Sequence, residues 1–123
     1  MNPTLTKTYV AEAAVTKRRI VKNGTADGKV LLGAAVGDAL VGVSADLDAA
    51  INERVDVHHA GIVEVEYGGT VALTDWITSD GTGRAIAAAP GAGTNNNVIG
   101  RAIVAGVIGD IGKVLIAPGR IQG

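Results

Sequence analysis

The sequence predicts an all-β fold, a small single-domain barrel or jelly-roll-like sandwich of about eight to ten short strands. Three observations predict it. Between Ile62 and Tyr67 apolar and charged residues alternate, with Val63, Val65 and Tyr67 on one face and Ile62, Glu64 and Glu66 on the other. That is the period-two pattern of a half-buried strand. Glycine supplies 18 of 123 residues, well above its usual share of roughly 7%, and Gly61 and Gly68-Gly69 bracket the alternating run so that the chain can bend there. The hydrophobic residues make up 47% of the chain and are mostly Ala, Val, Ile and Leu, small side chains that suit a tightly wound barrel with many turns.

In chain order, residues 1–8 are polar and carry Pro3 without any periodicity, so they are expected to form a flexible N-terminal arm. Tyr9, Ala11, Ala13 and Val15 alternate with polar positions and begin the main domain, residues 9–119. Residues 16–22 hold the only basic cluster, Lys17-Arg18-Arg19, followed by Ile20 and Val21; charge guarding a strand edge accounts for it. Asn23-Gly24 and Asp27-Gly28 mark a loop. Residues 29–36 and 40–43 supply two further strands, with the Gly37-Asp38 turn between them. Residues 46–53 are the one place for a helical turn, with Asp46 as a cap, a bare loop being the alternative. Val55 and Val57 alternate with Asp56 and His58 ahead of the Ile62 strand. Residues 71–77 carry Trp76, Asp80-Gly81 is a turn, and residues 84–89 form a plain strand. Residues 90–97, with Pro90, Gly91, Gly93 and three asparagines, read as a loop. Residues 99–105 and 113–117 are the last strands, and residues 120–123 a C-terminal tail.

Composition narrows the function classes. The chain has no cysteine, hence neither disulfides nor thiolate metal sites. A formal net charge of −1 argues against a nucleic-acid partner, which calls for a basic excess. One Trp, two Tyr and no Phe leave too few stacking platforms for single-stranded bases. No run of 18 apolar residues occurs, so no membrane-spanning helix is expected. The start of the chain lacks the layout of a secretory signal, which points to synthesis in a cytoplasm. A core this poor in aromatics buries little area per residue, and burial between subunits would supplement it.

Candidate chemistry is sparse. Gly91-Ala92-Gly93-Thr94 opens like a dinucleotide loop but has no third glycine and precedes a strand, where no helix terminus can supply amides to a phosphate. His58 and His59 are adjacent, so on a strand they point to opposite faces and cannot share one metal. Ser44 and Ser79 lie outside any nucleophile-elbow motif. Glu64 and Glu66 share a face and could form a carboxylate pair for glycoside chemistry; two glutamates on a solvated strand face are far commoner. No catalytic, cofactor-binding or metal site is expected. Trp76 and the Val63, Val65 and Tyr67 face are expected in the core or in a subunit interface.

Taken together, several pieces resemble a known family. They are Val15-Thr16 with Arg19-Ile20-Val21, Gly42-Val43-Ser44, Arg54-Val55-Asp56-Val57 leading to Gly61-Ile62-Val63-Glu64-Val65, and Tyr67-Gly68-Gly69. Asp75-Trp76-Ile77-Thr78-Ser79-Asp80, Gly83-Arg84-Ala85, Ile99-Gly100-Arg101-Ala102 and Val114-Leu115-Ile116 with Pro118-Gly119 follow. In order and spacing they resemble tailed-phage capsid cement, or head decoration, proteins of the DUF2190 type, from about Val15 to Gly119. The sequence departs from them at Thr74-Asp75, where Gly-Asp is common. The resemblance implies a β-barrel or jelly-roll domain on the outside of an assembled phage head. It would sit at junctions between major capsid subunits, usually as a trimer and sometimes as a dimer, and reinforce the shell against packaged DNA. On that footing Asn2, Pro3, Thr4, Leu5 and Lys7 of the arm are candidate capsid contacts. The competing expectations are a tail or baseplate module binding host glycans, and a small hydrolase using Glu64, Glu66 and the histidines.

Overall fold

The structure, a computed structural model, describes residues 2–122. Among them are nine strands and no helix: β1 (Asn2–Ala11), β2 (Ile20–Asn23), β3 (Lys29–Leu32), β4 (Leu40–Ser44), β5 (Arg54–Glu66), β6 (Trp76–Ser79), β7 (Ala85–Ala87), β8 (Asn95–Ala102) and β9 (Ile111–Gln122). All nine belong to one sheet, ordered β1-β3-β2-β4-β5-β9-β8-β6-β7.

Because β5 also pairs with β1, the first five strands close into a barrel. β1 runs parallel to β3 through Val10 opposite Lys29 and Ala11 opposite Val30, and antiparallel to β5 from Val10 opposite Arg54 to Asn2 opposite Ile62. Alternation puts Val55 and Val57 inward while Asp56 faces out. They meet Ala11, Val15, Val21, Val30 and Ala49 in one buried cluster.

β5 is longer than its sequence suggests. The Gly61 boundary predicts two strands, but the chain passes through without a break, Gly61 taking φ 91° in the left-handed region that only glycine occupies cheaply. The ladder with β1 slips opposite it, between Pro3 and Thr6. Beyond the bulge, Ile62 to Glu66 change partner and pair with β9. β9 pairs with β8, β8 with β6 and β6 with β7. A parallel bridge from Tyr67 to Ala85 and the Gly68 N–H donated to the Ala85 carbonyl at 2.8 Å close this into a second ring. Val63, Val65, Tyr67, Ile77, Ile99 and Val114 form its buried core.

The second ring repeats the first, with β5, β6, β7, β8 and β9 in the places of β1, β2, β3, β4 and β5. Ile20 opposite Val43 and Val21 opposite Gly42 correspond to Trp76 opposite Arg101 and Ile77 opposite Gly100. The bridge between Val15 and Ala49 corresponds to that between Val71 and Gly106. Three residues after each bridge residue stands a left-handed one: Arg18, Asn52, Thr74 and Gly109. A carboxylate then caps three of these turns, Glu53 accepting from the Ala50 amide, Asp75 from Ala72 and Asp110 from Val107. Thr74, with φ 72°, is the position where the resembling family commonly carries glycine.

Tyr67 anchors the second ring. Fully buried, it donates its hydroxyl to the Val104 carbonyl, and its ring occupies space left by the missing side chain of Gly112. A Cβ there would lie 2.0 Å from Tyr67 Cζ.

Several expectations are corrected. Residues 46–53 hold no helical turn: Val15 and Ala49 exchange two backbone hydrogen bonds, and the turn that follows carries Asn52 at φ 69°. The first strand begins at Asn2 and ends at Ala11, where alternation suggests residues 9–15. Residues 71–75 are a turn and β6 starts at Trp76. β8 begins inside the supposed 90–97 loop, at Asn95, and β9 runs on through Gln122.

Candidate functional site

The N-terminal strand is built unlike the others. Residues 2–9 pair with β5 alone, since β3 joins only at Val10 and Ala11. The other edge of that stretch has no strand partner among the described residues, and its N–H and C=O groups remain available to another chain. Thr4, Leu5, Thr6, Lys7 and Thr8 are all exposed, from both faces of the strand, and Pro3 is half-buried. Leu5 is 57% exposed. Asn2 lies on the same edge, opposite Ile62. So the five candidate contact residues do share one segment, and it is a strand laid along β5.

Side chains lace this ribbon together. Thr6 Oγ1 lies 2.8 Å from His58 Nδ1, and Thr8 Oγ1 donates to Asp56 Oδ1 at 2.8 Å. Tyr9 Oη and His59 Nε2 are 2.8 Å apart, while His59 Nδ1 sits 2.8 Å from the Val41 carbonyl. A carbonyl can only accept, so His59 Nδ1 carries the proton. The Lys7 ammonium stands 5.2 Å from the centre of the Tyr9 ring. Burial holds His58 below its ordinary value of 6.5, against the pull of Asp56 and Asp46, with His59 acting in the same downward direction.

The residues considered for catalysis have other occupations. Glu66 Oε1 is 3.3 Å from Arg19 and its Oε2 3.6 Å from Arg84, while Arg84 also meets Asp80 at 3.3 Å. Burial raises Asp80, but bonds from the Thr82 and Arg84 amides and the Thr82 hydroxyl, with the Arg84 charge, outweigh it and hold the group low. Glu64 stands opposite Lys113 in the ladder, apart from that network. Asp46, His58, Glu64 and Ser44 border a cavity of about 20 Å³, space for about one water and too little for a substrate. Among the described residues, no group of three or more His, Cys, Asp or Glu is placed to hold a metal ion. Nor, among these residues, is any helix long and apolar enough to cross a membrane.

Val63, Val65 and Tyr67 lie in the core. Trp76 does not: it is 36% exposed, with the Arg101 guanidinium 5.2 Å from its ring centre. The core half of that expectation fails because the inward position on β6 belongs to the neighbouring residue, Ile77.

A family model described as phage cement protein matches residues 1–115. The chain belongs to that family. Membership makes it a structural, virion-associated protein of the phage head. Among solved structures, the N base of the head fiber gp8.5 of bacteriophage phi29 has a similar fold, with a TM-score of 0.66 and 18% identity over 97% of this chain and 98% of the other. No curated protein matches the chain at a significant level. In this cement protein the β1 edge over residues 2–9 has no strand partner among the described residues, and Trp76 is 36% exposed.

Proposed function

We propose that this cement protein binds the outer surface of the expanded phage capsid at junctions between major capsid subunits and stabilises the head against the pressure of packaged DNA. It acts as a homo-oligomer, a trimer or a dimer, and not as an enzyme. It is made in the host cytoplasm and added to the head from outside. The observation that carries this reading is the exposed, unpaired edge of β1, residues 2–9. An open strand edge recruits a second chain by main-chain hydrogen bonds, and the side chains beside it select which one. Asn2, Pro3, Thr4, Leu5 and Lys7 are the contact residues, with Leu5 as the apolar anchor. Burying one leucine is worth about 2 kcal/mol, and several arms of an oligomer add through effective concentration.

The test uses the Leu5→Asp, Lys7→Glu double variant. Both side chains are exposed, so the fold is retained and co-sedimentation with expanded, undecorated heads drops at least tenfold. Unchanged binding removes β1 as the contact.

A further inference from the structure

Ile20 and Val43 face each other across β2 and β4, and both are fully buried. They are not buried inside their own barrel. Both belong to the apolar cluster of the second ring, with Val63, Ile77 and Ile99. The second ring therefore sits on this row of the first. It is fastened there by the Ile20 N–H on the Gly83 carbonyl at 2.7 Å and the Glu66 N–H on the Arg18 carbonyl at 2.9 Å, and by the ion pair between Arg19 and Glu66.

The same row exists in the second ring. Trp76 faces Arg101 as Ile20 faces Val43, and the row continues to Leu115 as the first continues to His58. Among the described residues no ring covers it, and Trp76 is 36% and Leu115 45% exposed. The flanking positions differ between rings in one direction. Lys17, Ala45 and Arg54 of the first ring correspond to Leu73, Ile103 and Ile111 of the second, which are 60%, 38% and 46% exposed. The turn before Ile111 adds Val107 and Ile108, 53% and 62% exposed. Exposed apolar side chains gathered in this way are a common mark of a protein–protein contact.

We propose that the Trp76, Arg101 and Leu115 row seats a second copy of this chain, docked on the second ring much as the second ring is docked on the first. The occupant follows from the molecule's own repetition. The corresponding row of the first ring is covered by a ring of this same fold, and only the uncovered repeat is rimmed by leucine and isoleucine where the other has lysine, alanine and arginine. Apolar composition of this kind belongs to permanent self-association. The inference rests on the reading that copies associate, and it holds whether or not heads are bound.

The test is light scattering on the full chain at about 20 μM, without heads. The wild type gives two or more times the single-chain mass of 12.3 kDa, and Trp76→Glu, which puts a charge in the row itself, gives the single-chain mass with an unchanged far-UV circular dichroism spectrum. Leu115→Glu does the same by a separate route, with Trp76 emission shifting to the red. Leu47→Lys, on the exposed loop of the first ring, keeps the oligomer. A wild type of single-chain mass, or folded variants that keep the wild-type mass, overturns the proposal. Pelleting the same samples with heads separates the two readings. An oligomer that ignores heads sinks the capsid reading alone, and a single chain that binds them sinks this one.

Discussion

Gly112→Ala tests how the second ring is assembled. The added methyl would lie 2.0 Å from Tyr67 Cζ and 2.2 Å from its hydroxyl oxygen, well inside any real contact distance. Tyr67 has little freedom to retreat, because it is fully buried and Gly106 lies beside the ring, its own missing Cβ 2.8 Å from Tyr67 Cδ2. Overpacking by one methyl costs about 1–3 kcal/mol, and displacing the hydroxyl from the Val104 carbonyl adds about 1 kcal/mol. A loss of about 3 kcal/mol lowers the melting temperature by roughly 10 °C in a chain of this size. Thermal melts followed by circular dichroism read this directly. Tyr67→Leu combined with Gly112→Ala makes room for the methyl, so the pair costs less than the sum of the single changes. A Gly112→Ala protein that melts within about 2 °C of wild type would refute the packing described here.

Gly42 and Gly100 hold equivalent places, and a Cβ on either would meet a backbone carbonyl, that of His58 at 2.3 Å or of Leu115 at 2.0 Å. Alanine at each therefore costs at least about 2 kcal/mol by chemical denaturation, and a large cost at one with none at the other would deny that the rings are equivalent. Thr74→Gly relieves a β-branched residue from φ 72° and should stabilise by roughly 0.5–1 kcal/mol after the added chain entropy; a lower denaturation midpoint contradicts that. Acid acts in two windows. His58 is held below 6.5 by burial, so the fold favours the neutral ring, and the stability this gives is full above that pH and declines as pH falls through the folded value. Asp80 is held below 3.8, burial being outweighed by amide bonds and the Arg84 charge, so its contribution is full above that pH and is lost as pH falls further. Denaturation midpoints between pH 7 and 5 should drop in the wild type and stay flatter in His58→Gln; parallel profiles would exclude His58 as the source.

What the sequence makes legible is what side-chain alternation encodes. Val55, Val57, Val63 and Val65 are read correctly as inward because strand geometry sends every second residue to the same side. β1 is invisible to that reasoning. Its residues 4–8 are exposed on both faces, and it is held by backbone hydrogen bonds to β5, which do not depend on residue type. Trp76 misleads for the opposite reason: size suggests a core anchor, while the register with Arg101 points it outward. The repetition of the two rings is equally hidden. Val15 and Val71, Gly42 and Gly100, Ile51 and Ile108, and Val57 and Val114 are shared, but loops of different length shift the offset along the chain, and most equivalent positions differ. The contact surfaces are the least legible part, since a free edge and a bare row exist only once the strands are paired.

The most direct measurement mixes the purified protein with expanded, undecorated heads and with unexpanded precursor shells, then sediments both. A cement protein that grips junctions of the mature shell binds expanded heads saturably, at a fixed ratio to the major capsid subunit, and leaves precursor shells bare. Failure to pellet with either shell would contradict the account at its centre.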